Sequence, residues 1–282
     1  MAVAFGSIST QYDNGNDGSI VITKPTGLAE GDFMIACIYN GDTADTATLT
    51  GWTSLATLND GGNSRFTILY KVASAGDAAA SNFAFTTGGN VISGTITRIT
   101  GASFSGADNI VYDLDFDNGA STTQTFTGGV TPAVANSLLL MGGTNNANIT
   151  MSGYTVATDD PTWTERADFG GGSPAATLSQ ASAIRTATSA TGDYTITYSA
   201  AAGNAYGYIL SISESVNVSV NADLLTGTLN LLAPTVSADA NVTAGLNTAT
   251  FSILAPTVTT QTVDWTYESR PVDSVWTIED QI

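Results

Sequence analysis

"RFTILYKVA", residues 65–73, sets Phe66, Ile68, Tyr70 and Val72 in alternation with Thr67, Leu69 and Lys71. A period of two puts successive side chains on opposite faces of an extended backbone, so this stretch is expected as a β-strand with one face buried and the other turned outward. "GDYTITYSA", residues 192–200, repeats the scheme with Tyr194, Ile196 and Tyr198. "DFMIACIYN", residues 32–40, is apolar almost throughout and is expected as a buried strand; it holds the single cysteine, Cys37. Turn signals punctuate these runs: "NG" at 40–41, "NDGGN" at 59–63 and "DNG" at 117–119. The nearest approach to a helix, "AGDAAAS" at 75–81, is short. The chain reads as all-β.

Composition narrows the chemistry. Charged residues make up 11% of the 282, against roughly 25% in an average globular chain, and Thr, Ser, Asn, Gly and Ala take their place. Seven scattered basic residues against 25 acidic ones give a net charge of −18. Phosphate binding needs clustered Lys and Arg, so nucleic acid is excluded as a partner, and an anionic membrane surface is disfavoured for the same reason. With no histidine, the Ser-His-Asp and Cys-His nucleophile arrangements and His-based metal sites are ruled out. One cysteine allows no internal disulfide. The opening "MAVAFGSIST" lacks a basic region followed by an apolar one, which predicts no cleaved leader. No run of 18 apolar residues occurs, so no membrane insertion is expected.

The chain echoes itself. "GDFMIACI" before "GWTSL" corresponds in kind and order to "NSLLLMGG" before "PTWTER", and the parallel continues downstream to residue 212. Residues 1–215 are therefore expected as a β-sandwich of two similar halves, about 1–104 and 105–215. These are either two small sandwiches or the strands of a single jelly-roll-like antiparallel sandwich. The single sandwich is favoured because each half alone has too few strands to cover both faces. Trp52 and Trp163 fall in equivalent places and are expected as core anchors.

A second repeat follows. Residues 224–236 and 246–258, offset by 22, share eight of thirteen positions and end on "LAPTV". Each copy alternates apolar and hydroxyl side chains, with Leu225, Leu229 and Leu231 in the first and Phe251 and Ile253 in the second. Each is expected as one amphipathic strand ended by a proline, Pro234 or Pro256, that cannot donate to a ladder. A unit this small cannot bury its apolar face alone, so residues 216–262 are expected to stack on other copies of the chain, a closed trimer being the simplest arrangement. Residues 263–282 form an aromatic tail in which Trp265 and Trp276 mark a smaller echo; it either docks by strand addition or closes its own hairpin.

The candidate sites are few. In "YDLDFDNG", residues 112–119, Asp113, Asp115 and Asp117 share one face of a strand; they either hold a Ca²⁺ ion or charge a solvent-facing edge. "YDNGNDGS" at 12–19 has Asp13, Asp17 and Gly18 at EF-hand-like spacing without the closing Glu. Tyr12, Tyr39, Trp52, Tyr154, Trp163 and Tyr206 are either core or, at one or two positions, stacking platforms for a glycan. A glycoside hydrolase using two carboxylates is open to so acidic a chain, but no pair is singled out by the sequence.

The series "ITKPTGLAEGDFMIACIYNGDT", "GWTSL", "ILYKVASAGD", "GTITRITGAS", then "TPAVANSLLLMGG", "PTWTER" and "ATGDYTITYSAAAGNAYGYILSI" resembles a family of phage structural proteins over residues 20–212. "LTGTLNLLAPTV" is similar to the short β-repeats that trail such virion proteins. The resemblance implies a jelly-roll-type sandwich displayed on a virion as a head decoration, fibre or tail accessory protein. It also implies assembly with copies of itself and with other virion proteins, and no catalytic residues or cofactor. A second reading makes the sandwich a glycan- or receptor-binding module that contacts a host surface.

Overall fold

The computed structural model describes residues 3–214 apart from 16, 17, 43, 44, 63, 90, 102, 103, 172–175 and 203. They belong to one compact unit, Met1–Ser219. The expected repeats and tail, with Leu225, Leu229, Leu231, Phe251, Ile253, Trp265 and Trp276, lie outside the described residues.

The first half supplies β1 (Ala4–Asp13), β2 (Ser19–Thr23), β3 (Phe33–Asn40), β4 (Thr53–Asn59), β5 (Arg65–Val72), the helix α1 (Ala75–Ala79), β6 (Asn82–Thr86) and β7 (Ile92–Thr100). The second supplies β8 (Ile110–Asp117), β9 (Ser121–Phe126), β10 (Ser137–Asn145), β11 (Met151–Val156), β12 (Thr164–Gly171), β13 (Ala176–Arg185), β14 (Tyr194–Ala202) and β15 (Ala205–Ile212). Every pairing is antiparallel.

The first half forms a five-stranded sheet in the order β1-β7-β3-β5-β4 and a small sheet β2-β6. Traced from β8, the second large sheet runs β8-β15-β10-β13-β12, the same order position for position, beside a small sheet β9-β14-β11. In each half the chain passes repeatedly between the large and the small sheet, as in a jelly roll, while β3, β4 and β5 follow one another within the first large sheet and β12 and β13 within the second, with β4 and β12 at the edges. The counterpart of β11 in the first half shrinks to a single bridge, Thr48 with Thr86.

The two large sheets pack face to face, giving four layers with the small sheets outermost. Phe33, Ile35, Cys37, Tyr39, Phe66 and Ile68 of the first half meet Leu138, Leu140, Leu178, Tyr206, Tyr208 and Leu210 of the second in a central core. The opposite faces of the same strands fill two outer cores. Met34, Ala36, Ile38 and Leu69 pack under Ile20, Ile22, Phe83 and Phe85; Leu139, Met141 and Ile209 pack under Phe126, Tyr194, Ile196 and Tyr198. This explains why β3 and β10 read as unbroken apolar runs: a strand covered on both sides still alternates, but both sets are buried. The expectation that Thr67 and Leu69 face outward is corrected on the same ground. They are 1% and 2% exposed, because the small sheet covers that face.

Close packing requires glycine at two central positions, once within the second large sheet and once between layers. A Cβ on Gly142 would run into the Ser179 carbonyl and the Tyr208 hydroxyl, and one on Gly207 into the Phe126 ring. Trp52 and Trp163, each one residue before β4 or β12, are half-buried against the corresponding outer cores, Trp52 edge-on to Phe83 and Phe85. The expected short helix is present: the Ser74 hydroxyl accepts from the Asp77 N–H while the Asp77 carboxylate accepts from the Ser74 N–H, a reciprocal cap.

Candidate functional site

Asp113, Asp115 and Asp117 lie at alternate positions of β8, which pairs on one side with β15. Their oxygens serve the backbone separately. Asp113 Oδ2 accepts from the Gly129 N–H at 3.2 Å, Asp115 Oδ2 from Thr127 at 3.0 Å, and Asp117 Oδ1 from Gly119 at 2.7 Å. The first two bonds fasten the link between β9 and β10 to the β8 edge. Burial pushes the Asp113 carboxyl above its ordinary range, and the neighbouring Asp115 carboxylate adds to the rise. Among the described residues no group of three His, Cys, Asp or Glu side chains is placed to hold a metal ion. The structure thus gives these aspartates a role in fastening a loop, which neither sequence expectation for them included.

The aromatic candidates divide sharply. Tyr39, Tyr154 and Tyr206 are 0%, 6% and 0% exposed and belong to the cores, so they offer no glycan platform. The Tyr206 hydroxyl donates to the Ser64 carbonyl across the central interface, and burial pushes its pKa up to about 12. Trp52, Trp163 and Tyr12 are half-buried. Cys37 is enclosed, its thiol pushed up to about 12 by burial.

All six basic residues of the described part have internal work. Lys71 and Arg98 pair with Asp77 and Asp32 at 2.7 and 2.6 Å. Arg65 donates to Thr46 Oγ1, Lys24 to the Ala78 carbonyl, and Arg166 to Ser182 Oγ while lying 4.2 Å over the Phe5 ring. Arg185, 1% exposed, is enclosed by carbonyl oxygens of Thr158, Asp159, Ser189 and Ala190. These cations are spent on holding strands and links together.

A second polar bridge crosses between the two large sheets. Gln180 on β13 donates through Nε2 to Thr97 Oγ1 on β7 at 2.8 Å, and its Oε1 takes the Tyr208 hydroxyl at 3.3 Å. All three residues are at 0% exposure. A satisfied polar cluster in an apolar interface fixes how two layers register, because any slip orphans its donors.

A cavity of about 490 Å³ opens between residues 159–162, the turn before β12, and residues 184–187 at the end of β13. Two carboxylates, Asp159 and Asp160, stand beside it. Both are tied by internal hydrogen bonds: Ser189 Oγ donates to Asp159 Oδ2, and the Val156 N–H and Trp163 Nε1 donate to Asp160 Oδ1. They come from consecutive residues of one turn, whereas glycosidic cleavage needs acids on opposite sides of the sugar ring. Sequence reasoning passed this place over. Its only signals were the turn-forming "DDP" at 159–161 and a lone arginine closing an otherwise uncharged strand. Among the described residues, no helix is long and apolar enough to cross a membrane.

The chain matches no family model, no curated protein and no solved structure.

Proposed function

We propose that this chain is a non-enzymatic structural component of a phage-type virion, a head decoration, fibre or tail accessory protein. In this reading the sandwich is displayed and the part beyond residue 215 attaches it to copies of itself or to the particle. The observation that carries the reading is the doubled jelly-roll order with both large sheets buried against each other. Jelly rolls recur in capsid and lectin domains, a fold-level analogy. The motifs over residues 20–212 point the same way, as do the amphipathic repeats at 224–236 and 246–258. The use of every described cation in internal contacts fits a scaffold whose polar groups serve its own rigidity.

The reading predicts two measurable things. The intact chain has an oligomeric mass in solution while a chain ending at Ser215 is monomeric, as read by light scattering. Peptides of the chain are found by mass spectrometry in density-purified particles from the organism that encodes it. A monomeric intact chain together with particles free of these peptides would reject it.

A further inference from the structure

The two halves share a strand order but not the link after their fifth and thirteenth strands. In the first half the link from β5 to β6 folds into α1, and Ala80 behind it packs with Trp52 into the outer core. In the second half the corresponding link, residues 186–193 between β13 and β14, contains no helix. The 490 Å³ cavity lies between the start of that link and the turn that carries Trp163 on toward β12.

Three features of this cavity belong together. First, its carboxylates are held in place yet not used up. Ser189 and Arg185 engage only Oδ2 of Asp159, and Val156 and Trp163 engage only Oδ1 of Asp160, leaving Asp159 Oδ1 and Asp160 Oδ2 without donors among the described residues. Second, the local charge is offset in part. The Arg185 guanidinium lies 3.7 Å from Asp159 Oδ2, and its buried Nε has no acceptor among the described residues. Third, apolar side chains share the lining: Ile184, 46% exposed, and Ala187 come from the β13 end, and Pro161 from the turn that carries the carboxylates.

We propose that this cavity binds a neutral hexose-type carbohydrate. Fixed carboxylate oxygens accept from sugar hydroxyls in charge-assisted bonds, and the exposed Ile184 side chain offers apolar contact to the C–H face of a pyranose. The buried arginine offsets one of the two carboxylate charges, which weakens the pull on a cation. A volume of about 490 Å³ lies within the range of small-ligand sites. Arg185 is the one residue shared with the virion reading, and sugar binding is read on the Trp163 signal whereas that reading is tested by oligomeric mass, so either can fail without the other.

The test is a titration of the intact chain with methyl α-glucopyranoside, methyl α-mannopyranoside and methyl β-galactopyranoside at millimolar concentrations. The indole N–H resonance of Trp163, identified by its loss in Trp163→Phe, is the readout, because that proton is held by Asp160. At least one glycoside is expected to shift it saturably. Asp160→Asn keeps the oxygen that serves Val156 and Trp163 while turning the open oxygen into a donor, and is expected to weaken binding about tenfold. Ile184→Asp, at an exposed position, is expected to weaken it similarly with the unfolding midpoint unchanged. Three results overturn the proposal: no glycoside moves the Trp163 signal, both variants bind like the parent, or spermidine moves it more than any sugar.

Discussion

The Gln180 bridge permits a quantitative test of how the two halves are joined. In Gln180→Met the side chain keeps its length but loses both polar atoms, so the Thr97 hydroxyl loses its 3.1 Å acceptor in a fully buried place, the Thr95 hydroxyl loses a longer one at 3.5 Å, and the Tyr208 hydroxyl still has the Ser179 carbonyl. One orphaned buried donor and two lost bonds cost about 2–3 kcal/mol. Thr97→Val, nearly isosteric, orphans the Gln180 amide and costs about 1–2 kcal/mol. In the double variant neither member of the Gln180–Thr97 pair is left to be orphaned by the other, so its cost falls short of the sum by about 1–2 kcal/mol. For a unit of this size each kcal/mol moves the midpoint by roughly 2–4 °C, so Gln180→Met is expected about 4–12 °C below the parent. Differential scanning calorimetry of the four proteins reads both the shifts and the number of transitions. Because the large sheets have no other cover for their shared faces, residues 3–214 are expected to unfold in a single transition. Additive costs within about 0.4 kcal/mol, or two resolved transitions for the two halves, would refute the reasoning.

Three further outcomes follow from single positions. Gly142→Ala is expected to cost about 3 kcal/mol or more, seen as a large drop in urea midpoint, because the new methyl meets a backbone carbonyl that cannot retreat without separating β10 from β13. Burial acts to raise the Asp77 pKa but is outweighed by hydrogen bonds from Lys71 and Ser74, leaving it below the ordinary value. A depressed folded pKa gives stability that is present above the unfolded value of about 3.9 and is lost as pH falls through the folded one. Asp77→Ala should therefore lie about 1 kcal/mol below the parent at neutral pH, with the gap closing below about pH 4 in urea melts. Asp113 and Asp168, whose pKa values burial raises, act in the opposite sense and are common to both proteins, so the difference isolates Asp77. Cys37 is expected to be inert to Ellman's reagent in the native chain at pH 8 and to react fully in denaturant; native reactivity would contradict its burial.

Much of the architecture was legible because strand formation is written in short-range periodicity. The run "RFTILYKVA" is β5, "DFMIACIYN" contains β3, and "GDYTITYSA" spans most of β14. The paired segments "GDFMIACI" and "NSLLLMGG" fall on β3 and β10, which hold the same central place in their sheets. Turn signals at 40–41, 59–63 and 117–119 sit at strand ends. What failed was the assignment of faces. Thr67 and Leu69 looked outward yet are buried, whereas Tyr39, Tyr154 and Tyr206 are core residues, as most of the six aromatic candidates were expected to be.

The candidate sites were harder still, because spacing along a strand says which residues share a face and not what comes to meet them. The three aspartates of β8 do share a face, but the N–H groups that occupy two of them come from Thr127 and Gly129 on a later link. Gln180 and Thr97 are 83 residues apart, and nothing local marks either as a bridge. Arg185 looked like a stray charge, and only the fold surrounds it with carbonyls from two separate turns. By itself the sequence determined that the backbone is extended, where it turns, and that it carries no histidine or basic patch, since these follow from side-chain alternation, glycine and asparagine placement, and composition. Only the tertiary structure decided which faces are covered, which polar groups meet across the central layer, and where a cavity stays open. Those depend on contacts between strands far apart in the chain, which local periodicity does not encode.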